Sequence, residues 1–119
     1  MVILILTLLT LPAVWQLIIA GHFQPHDLHH LADIYEMTRA FSGQFPPRWT
    51  PDFTGGSGYP LFNFYYVLPF YLGSLFYVLL GSLTQSLMMV FLMCFIVSVW
   101  GMYRLLREFT GKWASVVGA

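Results

Sequence analysis

The strongest constraint on this chain is where its charges are absent. No Asp, Glu, Lys or Arg occurs in residues 1–26, and none in residues 53–103. All ten charged side chains fall in two short stretches: Asp27, Asp33, Glu36, Arg39, Arg48 and Asp52 in the first, and Arg104, Arg107, Glu108 and Lys112 in the second. A soluble fold distributes charge over the outer face of every amphipathic element, whereas a bilayer excludes it from whole segments. Charged residues make up only 8% of the 119 residues, against about a quarter in ordinary soluble domains. The pattern predicts an all-α chain of polytopic transmembrane helices, with the ionisable groups gathered in a loop at the membrane boundary.

Residues 2–20 are uncharged and reach about 28 Å as a helix, close to the thickness of a hydrocarbon core. No basic residue precedes them, so they read as a retained first span rather than a cleaved leader, with Pro12 inside. The uncharged block of residues 53–103 is too long for one crossing of about 20 residues. Gly81, Ser82, Thr84, Gln85 and Ser86 interrupt it, which predicts a second span over 59–80 and a third over 83–103. Residues 113–119 read as the start of a fourth span, and the chain as the amino-terminal part of a longer protein. Three crossings would put the loop at 21–58 and the segment after the third span on one side, with all five Lys and Arg. The positive-inside tendency would make that side cytoplasmic.

The loop at 21–58 carries the chemistry. Residues 27–42 show helical periodicity, with Leu28, Leu31, Ile34 or Tyr35, and Phe41 on one face. Asp27, His30, Asp33, Glu36 and Arg39 share another face, as expected of an amphipathic helix lying on the membrane surface. Pro46, Pro47 and Pro51 then favour extended chain, and Gly55-Gly56-Ser57-Gly58 a turn into the second span. Asp27, opening the helix at the bilayer edge, is the candidate catalytic base or ligand of a divalent metal ion; the competing reading is a helix N-cap. His26, His29 and His30 have i, i+3, i+4 spacing, but no established zinc signature is present, and histidines beside headgroups are the simpler account. Arg39 and Arg48 have the guanidinium fork that grips phosphate oxygens, or they contact lipid headgroups. Asn63 and Tyr65 are candidates for hydrogen bonds to a substrate or to a neighbouring helix. Asp52 is a second carboxylate or a turn-former after Pro51. Cys94 is the only cysteine, so no internal disulfide exists, and no basic stripe of the kind that follows nucleic acid is present.

The ordered blocks Gly21-His22, His26-Asp27-Leu28-His29-His30-Leu31, Gln44-Phe45-Pro46-Pro47-Arg48-Trp49, Pro51-Asp52 and Gly58-Tyr59-Pro60-Leu61-Phe62-Asn63-Phe64-Tyr65 resemble the opening of bacterial "6-pyruvoyl-tetrahydropterin synthase-related" membrane proteins. That group is similar to the GT-C superfamily of polytopic glycosyltransferases. The resemblance implies a multi-pass protein of the bacterial inner membrane with its first loop extracytoplasmic. It implies a polyprenyl-phosphate sugar donor and an acid after the first span, which Asp27 matches, with Arg48 and Asp52 on family positions of unassigned role. Asp33 stands where a basic residue is expected, Gly55-Gly56-Ser57 lacks an aromatic, and Tyr66-Val67 replaces a proline-rich start to the second span. The alternative is a non-catalytic integral membrane protein that handles lipid or polymer headgroups. Either reading requires that alkaline carbonate leave the chain in the membrane pellet. Its release into the supernatant would remove the premise common to both.

Overall fold

The computed structural model describes residues 2–19 and 29–119. Its elements are α1 (Val2–Ile19), α2 (His29–Ala40), a 3-10 turn (Leu61–Asn63), α3 (Leu68–Leu80), α4 (Leu83–Arg107) and α5 (Lys112–Val117). Among the described residues there is no strand, only an isolated antiparallel bridge between Thr50 and Tyr59. Among the described residues one helix, α4, is long and apolar enough to cross a membrane. Its 25 residues give about 37 Å of length against about 30 Å of hydrocarbon.

The described residues form two units. In one, residues 2–19 associate with 91–119. Leu6 and Thr10 of α1 and Ile96, Val99 and Trp100 of α4 border a narrow cleft within it. Thr10 satisfies its hydroxyl within α1, donating to the Thr7 carbonyl at 2.6 Å. At the far end of α4 the Arg104 guanidinium sits 5.5 Å from the Trp100 ring, and Arg104 and Arg107 occupy the last turn, where the helix dipole favours cations. The expected helix at 113–119 is the short α5, tied to the turn after α4 by a hydroxyl pair, Thr110 to Ser115, at 2.9 Å.

The other unit, residues 29–90, positions the candidate site. α2 and α3 cross where Gly73 meets Ile34. A Cβ on Gly73 would stand 2.6 Å from Ile34 Cγ1 and 2.7 Å from Cδ1, so any larger residue here would force Ile34 to shift. Ser74 adds a hydrogen bond across the crossing, its hydroxyl donating to the Ile34 carbonyl at 3.3 Å. Ile34 and Met37 are fully buried, and Phe70 of α3 is buried beside His30, the ring centroids 6.3 Å apart.

The span expected over 59–80 is divided. Tyr59 is held in the bridge, giving its N–H to Thr50 and accepting from the Thr50 N–H at 3.0 and 2.9 Å. Pro60 disfavours a helical conformation at the residue before it. A helix unbroken from 59 would also bury Pro69 in its interior, where the lost donor and ring clash cost about 3 kcal/mol. The helix begins instead at Leu68, which leaves Pro69 in its first turn, where a missing N–H costs nothing. α3 ends at Gly81, whose φ of 69° caps it with an N–H to the Tyr77 carbonyl. α4 continues to Arg107, one turn beyond the 83–103 expected.

The face of α2 that is covered also differs from expectation. Asp33, Glu36, Ile34, Met37 and Ala40 are buried, while Tyr35 and Phe41 are exposed. The reason is the chain at 50–59, which folds back over the polar side of the helix instead of leaving it to solvent. That segment is an ordered tight turn. Gly55, Gly56 and Gly58 all take positive φ, Gly58 N–H donates to the Phe53 carbonyl at 3.0 Å, and Trp49 lies over Gly58 so closely that a Cβ there would be 2.6 Å from Cε2.

Gly73→Ala is expected to destabilise this unit by about 1–3 kcal/mol through overpacking. Trimming the opposing side chain in Gly73→Ala/Ile34→Val should recover part of that loss. Thermal unfolding in detergent reads both, and a Gly73→Ala midpoint equal to wild type would show that the crossing yields without strain.

Candidate functional site

The first turns of α2, the 51–58 turn and the chain entering α3 enclose a cavity of about 430 Å³, within the range of small-molecule sites. α2 contributes His29, His30 and Asp33. The turn contributes Phe53 and Thr54, and the segment after it Tyr59, Leu61, Tyr65 and Tyr66. Packing fixes the walls. The His29 ring meets Phe53 edge-on at 6.5 Å, His30 lies 6.3 Å from Phe70, and Tyr66 stacks on Phe70 at 5.6 Å. Asp33 is only 3% exposed, which places a carboxylate at the inner wall of an otherwise aromatic chamber. No Lys or Arg lines it among the described residues.

The residues singled out from sequence separate into three groups. His30 and Tyr65 line the cavity. Arg39 is engaged by Asp52, with Glu36 Oε1 at 3.8 Å as its second acidic neighbour. Arg48 Nη1 donates to Asn63 Oδ1 at 3.1 Å, so this arginine is exposed but oriented. Asp27, the candidate base, lies outside the described residues, as do His22 and His26. Among the described residues no three His, Cys, Asp or Glu side chains converge to hold a metal ion, so the expected divalent ion has no donor set there.

Glu36 is the unexpected member. The surface-helix pattern placed it toward solvent, yet it is 2% exposed. Its Oε2 accepts the Asp52 backbone N–H at 3.4 Å, and its helix neighbour Arg39 reaches across to Asp52. One buried carboxylate thus ties the turn to α2. Gln44 Nε2, donating to the Trp49 carbonyl at 3.1 Å, and Thr50 Oγ1, donating to the Tyr59 carbonyl at 2.8 Å, hold the ends of the same loop. Tyr59, Tyr66 and Phe53 gave no chemical signal in the sequence, because aromatic residues there match span-end anchors equally well, and Thr54 gave none because a lone threonine in a glycine-rich turn carries no pattern. Asp33 was visible only as one acid in a polar cluster.

Burial raises the Glu36 pKa above its ordinary value of 4.5, and the Arg39 guanidinium opposes the shift. Ionising Glu36 is therefore harder in the folded chain than in the unfolded one. Between 4.5 and the raised value the folded state binds more protons, so stability falls as pH rises through that window and is greatest below it. Glu36→Gln is expected to flatten this slope in melting curves taken from about pH 4 to pH 8. Parallel profiles for the two proteins would assign the slope to other groups.

No protein-family model, curated protein or solved structure matches this chain.

Proposed function

We propose that the chain is a multi-pass membrane glycosyltransferase of the GT-C kind, acting on a sugar carried by a polyprenyl phosphate. The observation that carries this reading is the cavity, with aromatic walls and an inward carboxylate, in a chain that also has a helix able to cross a membrane. Sugar rings offer apolar C–H faces to Tyr59, Tyr65 and Tyr66, and hydroxyls to Asp33 and His30. α1, with 18 uncharged residues, supports a second crossing beside α4. In the reaction the acceptor hydroxyl attacks the anomeric carbon, its proton passes to the Asp27 carboxylate, and the bond to the phosphate oxygen breaks to release polyprenyl phosphate. Asp27 follows α1 by eight positions and precedes the His29 wall by two, which supports its assignment as base. A divalent ion at Asp27 would supply charge neutralisation for the leaving phosphate.

Membranes containing the protein are expected to transfer labelled hexose from undecaprenyl-phosphate hexose. Asp27→Asn should lower that rate by about 10²–10⁴-fold, the range for loss of a general base. An unchanged rate in a normally inserted Asp27→Asn protein removes it from the mechanism. Headgroup handling without catalysis is favoured by Arg48, exposed and aligned by Asn63. On that reading Arg48→Ala weakens binding to undecaprenyl phosphate, Asp27→Asn leaves binding intact, and no hexose is transferred.

A further inference from the structure

The charge around the cavity narrows what it can hold. Asp33 brings a carboxylate to the inner wall and is 3% exposed, so a ligand that fills the chamber displaces what water still reaches that group. No Lys or Arg lines the chamber among the described residues. The two arginines of the same unit are engaged elsewhere, Arg39 with Asp52 and Glu36, Arg48 with Asn63. Residues 20–28, which precede α2 in the chain, add an acid, Asp27, and no Lys or Arg. The aromatic walls favour the same sign of ligand. Tyr65 and Tyr66 have ring centroids 6.0 Å apart at an angle of 47°. Tyr66 rests on Phe70, yet Tyr65 and Tyr66 are still 51% and 59% exposed. The face of such a ring carries negative potential and attracts an ammonium group within about 6 Å of its centre.

These features sort ligands by charge. An anionic ligand meets the Asp33 carboxylate with no described cation to offset the repulsion. A neutral ring can donate hydroxyls to Asp33, but it desolvates the carboxylate without bringing a countercharge. A protonated amine brings that charge, and its hydrogen bonds to a carboxylate are about twice as strong as neutral ones. An ionised carboxylate has about four lone-pair sites, so bonds that Asp33 makes within the chain leave capacity for such a donor. We propose that the cavity takes an amino sugar, its protonated amine directed at Asp33 and bordered by Tyr59, Tyr65 and Tyr66. The sugar rests on the proposed function, whereas the positive charge rests on the cavity alone. A phosphoethanolamine headgroup offers the same ammonium, but its phosphate lies two carbons away and would be drawn in toward Asp33. On an amino sugar the amine can stand across the ring from the anomeric phosphate, which then stays outside the chamber.

The test is equilibrium binding to the full chain in detergent micelles, followed by ligand-observed NMR at about pH 7.5, where a primary alkyl amine is protonated. Methyl 6-amino-6-deoxy-glucopyranoside is expected to bind about tenfold or more tightly than methyl glucopyranoside. Its N-acetyl derivative, which has lost the charge, should bind no more tightly than that parent. Asp33→Asn should bring amine and parent to within about twofold of each other. Equal affinities of amine and parent for the wild-type chain overturn the proposal, and so does a preference that survives Asp33→Asn. Should that variant fail to fold, Tyr65→Leu takes its place and is expected to weaken the amine several-fold more than the parent; equal weakening overturns the proposal. Glycerophosphoethanolamine bound as tightly as the amino glycoside would overturn the sugar in favour of a lipid headgroup. None of these measurements requires glycosyl transfer. Amine preference in a protein that transfers no hexose removes the proposed reaction alone, and transfer without amine preference removes this inference alone.

Discussion

The contact on which the described loop unit depends is the crossing of α2 and α3 at Ile34 and Gly73. Helices that bury little apolar surface against one another gain from close approach, and glycine at the crossing brings the backbones within reach of a side-chain hydrogen bond. The Ile34 carbonyl accepts from the Ser74 hydroxyl across the crossing and from the Thr38 hydroxyl within α2. The crossing therefore fixes both ends of α2 relative to α3. Toward its amino end it sets His30 against Phe70 and completes a cavity wall. Toward its carboxyl end it sets Phe41 edge-on to Tyr71 at 5.2 Å.

A second constraint follows from the first. With one side of α2 committed to α3, its acidic side is closed by the returning chain. Burying Glu36 carries a desolvation cost, offset by the Asp52 N–H and by the positive charge of Arg39. Arg39 is in turn shared with the exposed carboxylate of Asp52, which is a surface pair and contributes at most about 1 kcal/mol. What this arrangement secures is register rather than stability. It brings Phe53 and Thr54 over the first turns of α2, so the turn becomes a wall of the cavity.

Much of this was legible in the sequence, and the failures have physical causes. Apolar run length and Gly81 were enough to locate α3 and α4, since these signals are local. The charge-free block also contains most of α4, the described helix long and apolar enough to cross a membrane. The exit of Tyr59 through Val67 from the helix was readable in principle from Pro60 and Pro69, but hydropathy outweighed it. The buried side of α2 was not readable. A period of 3.6 residues sorts polar from apolar side chains without showing that a turn 16 residues onward will cover the polar ones. Arg39 with Asp52 and Arg48 with Asn63 are 13 and 15 positions apart, beyond any helical spacing rule. Both arginines looked like free phosphate grips because their partners are set by tertiary structure.

These pairings bear on how a lipid-linked sugar would be divided between recognition elements. A polyprenyl-phosphate sugar presents a monoanionic phosphodiester and a ring without negative charge, and the two need opposite surroundings. The described cavity wall has aromatic rings, histidines and a buried carboxylate but no Lys or Arg, which suits the ring and disfavours the phosphate. Of the two loop arginines, Arg39 is already committed to acidic neighbours. Arg48 is held only by a neutral amide, which orients the guanidinium without cancelling its charge. On the glycosyltransferase reading the ring belongs in the cavity, and the phosphate belongs with Arg48 or with groups outside the described residues. On that reading charge complementarity would separate the two halves of the donor, and the bond between them would be the one broken.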